Sequence, residues 1–163
     1  MAVNTDISLT VSCRETSSLD MGSASARHLA EYIRSLRSGT ETLKADIVWS
    51  DTRTLNTTTE DLDIRGTALT GAFGQSIAIA ELVGIYIRNN STAGTLTVGG
   101  DATAPITGLF ADVTDKIVIG PLGVFFWLRP DDGIAVGAGT TDVLQIQSSA
   151  SVSYSIMLIG RSA

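Results

Sequence analysis

From residue 43 onward the sequence is a succession of short apolar or alternating runs, each bounded by a cluster of Gly, Pro, Asn, Asp or Ser, and this restricts the fold more than any other feature. It is the signature of an all-β chain, in which side chains alternate across a pleated surface and turn residues separate the strands. The candidate strands are Leu43–Trp49, Glu60–Ile64, Ser76–Ala80, Val83–Arg88, Thr95–Val98, Lys116–Ile119, Val124–Leu128, Val143–Gln147 and Ser153–Ile159. Eight or nine strands at a spacing of roughly ten residues suit a sandwich or barrel.

The segment from Asn89 to Gly94 separates two β-rich runs and offers Asn and Gly for the positive φ of a hairpin loop, so a hairpin is expected there. Gly99-Gly100-Asp101 ends the second of those strands, Gly120 to Gly123 breaks the next pair, and Pro130-Asp131-Asp132-Gly133 reads as a type I turn. The last run passes from polar alternation into nearly unbroken apolar sequence, as a strand entering a core does, and is expected to seal the fold.

The N-terminal third is ambiguous. Leu29, Tyr32, Ile33 and Leu36 have the spacing of a helical apolar stripe, with Ser23 or Ser25 as a cap and Gly39 as a stop. The same stretch, flanked by Ser-rich sequence, also suits a long edge strand, and residues 1 to about 22 suit an extended arm.

Composition narrows the chemistry. The 163 residues are one domain's worth, and 44% hydrophobic residues against 17% charged suffice for a core. Ser and Thr together number 37, yet there is a single His and a single Cys. A net charge of −6 lacks the basic footprint that phosphate neutralisation needs, so no nucleic-acid partner is expected. No signal sequence and no apolar stretch of membrane-spanning length is visible, so the expectation is a soluble protein made in a reducing cytoplasm, with no membrane partner.

Catalytic patterns are weak. Any nucleophile-imidazole arrangement must use His28; Cys13 is one possible partner, and Gly74-Gln75-Ser76-Ile77-Ala78 falls one residue short of a nucleophile elbow and precedes a strand, not a helix. The carboxylates at Glu60, Asp61, Asp63, Asp131 and Asp132 are explained as well by strand starts and turns as by paired-acid catalysis. A surface calcium site could be assembled only from Asp101, Asp112 and Asp115. The expectation is no enzyme activity, no metal and no cofactor.

Two aromatic groups stand out, Trp49 in Val48-Trp49-Ser50-Asp51 and the run Phe125-Phe126-Trp127. Three consecutive aromatics on a strand point to both faces, so one face meets the core and the other meets a second sheet or a neighbouring subunit. Trp127 could also stack on a glycan.

The runs Ala45–Leu55, Thr59–Ile64, Leu69–Gly74, Leu96–Gly100 and Tyr154–Arg161 resemble, in order, a family of small virion proteins of tailed bacteriophages. The resemblance covers about residues 43–161 and rests on structural motifs. In such relatives the stretch equivalent to residues 25–37 is more strand-like, which favours the strand over the helix. It implies a virion structural protein, assembled in the host bacterial cytoplasm. The first expectation is a head decoration protein that binds the major capsid protein and stabilises the shell, the alternative a tail, collar or fibre subunit with glycan or host-surface binding. The expected architecture is a single-domain, jelly-roll-like β-sandwich of about eight strands at residues 23–163 behind an arm at residues 1–22, self-associating as a homo-oligomer, with a trimer favoured. Trp49, Asp51, Arg53, Phe126 and Trp127 are the expected interface residues.

Overall fold

The computed structural model describes residues 2–100 and 103–162, and among them every regular element is a strand. In chain order these are β1 (Thr5–Leu19), β2 (Gly22–Leu36), β3 (Ile47–Asn56), β4 (Thr59–Asp63), β5 (Leu69–Thr70), β6 (Ser76–Ile77), β7 (Glu81–Asn89), β8 (Leu96–Gly99), β9 (Lys116–Ile119), β10 (Val124–Leu128), β11 (Ile134–Ala135), β12 (Val143–Ser148) and β13 (Ser151–Arg161). The ladders between them are antiparallel.

One sheet has the order β10-β7-β13-β3, with β11 also pairing to β7, and a second has the order β4-β12-β8-β9. A two-strand ladder, β5 with β6, stands apart from both. Alternation along each strand builds the core. On β13, Val152, Tyr154, Ile156 and Leu158 are buried, and they meet Leu62, Leu96, Val98, Leu144 and Ile146 of the other sheet in one apolar cluster. A smaller cluster of Ile7, Leu36, Ala45, Val83 and Ile159 lies on the opposite, outer face of the five-stranded sheet.

The expected strands at Lys116–Ile119 and Val124–Leu128 form as read, and those near Glu60, Val83, Thr95, Val143 and Ser153 form with shifted ends. The first run differs. Leu43 sits at φ 65 in a turn, its N–H donating to the Pro130 carbonyl at 2.8 Å, and the strand starts at Ile47. It then continues through the polar Asp51 to Thr54, because backbone pairing to β13 from Gly160 to Ser151 carries it.

The expected hairpin at Asn89–Gly94 is not formed: β7 lies in the five-stranded sheet and β8 in the four-stranded one, so the segment crosses between sheets. Buried Asn89 holds the crossing, donating from Nδ2 to the Gly94 carbonyl at 3.0 Å and accepting from the Ser91 N–H at 3.0 Å. Neighbouring crossings are stitched to it and to each other. Ser149 N–H donates to the Thr95 carbonyl, Thr57 N–H to that of Ala150, and Leu122 N–H to that of Ser91. The abundant Ser, Thr, Asn and Gly residues thus satisfy backbone groups where strands leave one sheet for the other.

Residues 25–37 are neither helix nor the start of the core domain. Up to Leu36 they belong to β2, which pairs along its whole length with β1, from Leu19↔Gly22 at the tip to Thr5↔Leu36 at the root. The boundary expected at residue 22 therefore falls at the tip of a hairpin that forms a sheet of its own.

Candidate interaction surface

Three of the residues expected at an interface sit together on β3. Their alternate positions place Trp49, Asp51 and Arg53 on one face of the strand. Trp49 is buried, donates from Nε1 to the Thr70 carbonyl at 3.2 Å, and carries the Arg53 guanidinium 5.3 Å from its ring centroid. Arg53 donates from Nε to Asp51 Oδ2 at 2.9 Å and from Nη1 to Glu60 Oε1 of β4. Buried Tyr154, register partner of Arg53 on β13, donates its hydroxyl to Glu60 Oε2 at 2.7 Å.

The electrostatics of this group are those of a closed network. Partial burial opposes the charge on Arg53, but the Glu60 carboxylate, by charge and hydrogen bond, and the bond to Asp51 hold the guanidinium above its ordinary pKa. Burial first, and then the bond and charge of Glu60, push the Tyr154 phenol well above its ordinary value. Sequence reasoning missed Glu60 and Tyr154 as partners of Arg53. The alternation of Ser153-Tyr154-Ser155-Ile156 marks Tyr154 as inward-facing, but nothing local pairs it with a residue 94 positions away.

The aromatic run on β10 divides between the two faces. Phe125 and Trp127 pack on the main core, whereas Phe126 points to the outer face beside Leu128 and the small cluster. There the register sets Phe126 beside Tyr86 and Tyr86 beside Met157. Together with exposed Val124, these residues and Thr5 to Leu9 of the hairpin border a groove of about 330 Å³.

The hairpin itself has two unlike faces. Ile7, Leu9 and Val11 share one face with Leu36, Arg34, Tyr32 and Ala30, while Ser8, Thr10, Ser12 and Arg14 lie on the other with Ile33, Glu31, Leu29 and Arg27. Ile7 and Leu36 are buried at the root, but Leu9, Val11 and Tyr32 are 46%, 58% and 42% exposed.

The remaining candidates are dispersed. Cys13 and His28 are cross-strand partners on the exposed hairpin, with Glu15 Oε2 3.7 Å from His28 Nε2. Both side chains are largely open to water. Asp131 and Asp132 lie 3.6 and 3.7 Å from Arg129, Asp61 accepts from Gln145, and Asp63 accepts from the N–H groups of Arg65 and Gly66. Asp112 and Asp115 share a turn in which the Thr114 N–H and hydroxyl hold the Asp112 carboxyl below its ordinary range; Asp101 lies outside the described residues. Among the described residues no three His, Cys, Asp or Glu side chains are grouped to hold a metal ion. Set beside models of protein families, curated proteins and solved structures, the chain matches none.

Proposed function

We propose that this protein is a non-enzymatic structural component of a tailed-bacteriophage virion, a head decoration protein that binds the major capsid protein and stabilises the shell. The observation that carries the reading is the hairpin of β1 and β2, two 15-residue strands exposed along nearly their whole length. At about 3.4 Å per residue such a hairpin reaches about 50 Å, whereas a compact body the size of the remaining chain is about 35 Å across. It is an attachment device in search of a surface. The ordered resemblance of residues 43–161 to small virion proteins supports the same reading.

In this proposal the two main sheets act as a jelly-roll-like body, repeated around the particle, and the work is done by shape and contact. The expected interface residues take different parts. Trp49, Asp51 and Arg53 stiffen the β3 edge, Trp127 supports β10 from the core, and Phe126 belongs to the outer contact face. Quantifying the chain in purified virions of its phage tests the proposal. Hundreds of copies are expected for a decoration protein; a few to tens would transfer it to the tail, collar or fibre, and absence from the particle would overturn it.

A further inference from the structure

We propose that the hairpin of one copy docks, apolar face down, on the outer face of the five-stranded sheet of a second copy. This inference stands on the surfaces of the chain and not on a virion role, and it occupies one face of the hairpin, leaving the other, with exposed Leu29 and Ile33, open to the shell.

The contact already exists in miniature within one molecule. Ile7 and Leu36 at the hairpin root pack with Val83 and Ile159 on that outer face, with Phe126 and Leu128 partly buried beside them. Both surfaces then continue past the contact without covering each other. The hairpin presents Leu9, Val11 and Tyr32, the sheet presents Val124, Phe126 and Met157, and the groove separates them. Two surfaces of one chain that already pack together at the root, and remain open beyond it, are matched for a second copy.

Stability also requires an occupant. A two-stranded hairpin standing in water is marginal, and three strands or a packed face are needed to hold it. Only the root of this hairpin has such packing. The part of that face beyond the buried root, about 40 Å long and 10 Å wide, buries about 800 Å² per contact counting both partners, and two reciprocal contacts in a closed pair exceed the roughly 1,000 Å² of a specific interface. Exposed Leu9, Val11 and Tyr32 would form the centre of the contact, and Cys13, Glu15, His28 and Ser17 farther out a polar rim.

Charge does not oppose self-association through this element. The chain carries −6, so two bodies repel, but the hairpin sets Arg14, Arg27 and Arg34 against Asp6, Glu15, Asp20 and Glu31 and is nearly neutral.

The test uses the purified full chain without particles, so its outcome is separate from that of the virion proposal. Sedimentation at micromolar concentration is expected to give a closed oligomer. L9D combined with V11D, on the exposed hairpin, and M157D, on the exposed sheet position, are each expected to yield a monomer with an unchanged circular dichroism spectrum. In a C13S background, mixing L9C chains with V124C chains under mild oxidation is expected to give a disulfide-linked pair containing one of each. A monomeric parent chain, an oligomer indifferent to either set of substitutions, or no mixed cross-link would overturn the proposal. So would a cross-link that forms only within single chains carrying both L9C and V124C, since the hairpin would then fold onto its own sheet.

Discussion

The phenol of Tyr154 donates a 2.7 Å hydrogen bond to Oε2 of Glu60, tying the inner face of the five-stranded sheet to the edge strand of the four-stranded one. Glu60 accepts from Arg53 on its other oxygen, so one carboxylate joins β3, β4 and β13. Trp49 beneath the guanidinium completes a group whose members are mostly satisfied by each other.

Removing the hydroxyl in Tyr154→Phe is expected to cost about 1–2 kcal/mol, the low end for a bond to a charged group because Glu60 keeps Arg53. Urea unfolding measures it as a lowered midpoint at constant slope. An unchanged midpoint would mean that the bond between the sheets contributes nothing net.

The same residue gives the protein an alkaline limit. The folded state raises the phenol's pKa, so above about pH 10 the unfolded chain loses this proton first and the native state holds more protons. Stability from this group is therefore full below pH 10 and declines as pH rises, by at most about 1.4 kcal/mol per pH unit. Thermal melts from pH 8 to 11 should show a steeper fall for the parent than for Tyr154→Phe; parallel curves would contradict the assignment.

Arg161 is a buried clamp. It donates to Glu81 Oε2 at 2.8 Å and to the carbonyls of Lys44, Pro130 and Asp131 at 3.1, 3.0 and 2.9 Å. Arg161→Met strands these acceptors and is expected to cost about 3–5 kcal/mol. Arg161→Lys should recover only part, because one ammonium cannot reproduce the guanidinium fork. Chemical denaturation of the two variants distinguishes them, and equal stability would show that charge alone matters.

Gly160 stands where the register of β13 shifts against β7, and a Cβ there would lie 2.5 Å from Ile79 Cγ2 and 2.9 Å from the Glu81 carbonyl. Gly160→Ala is expected to destabilise by about 1–3 kcal/mol through overpacking. Gly120→Ala, with nothing within 4 Å, serves as the control and should stay within about 0.5 kcal/mol of the parent. Calorimetric melting of both proteins checks the contrast.

Near the root of the hairpin one face is packed and the other is open to water, and stability should follow. Leu36→Ala empties a buried site and is expected to cost about 2–5 kcal/mol. Ile33→Ser, at a position 67% exposed on the polar face, should change folding by less than about 0.5 kcal/mol. Comparable losses at both positions would mean that both faces of the hairpin are packed near its root in solution.

The sequence by itself determined the strand class and the place of most strands, because the two-residue period of runs such as Val124–Leu128 is a local property of the pleat. It named Trp49, Asp51 and Arg53 as interface residues, but the strand it read ended at Trp49, and pairing to β13 carries the other two onto the same face. Tertiary structure decided the rest. Asn and Gly suit a hairpin loop and a crossing between sheets equally well, and only the pairing of Val98 with Ile146 sends β8 into the second sheet. Leu29, Tyr32, Ile33 and Leu36 satisfy a helical stripe, but pairing to β1 sets Leu29 and Ile33 on one face and Tyr32 and Leu36 on the other. Glu60 met Arg53 and Tyr154 for the same reason. Which partner a strand takes depends on contacts between residues far apart in the chain, and such contacts leave no period in the sequence.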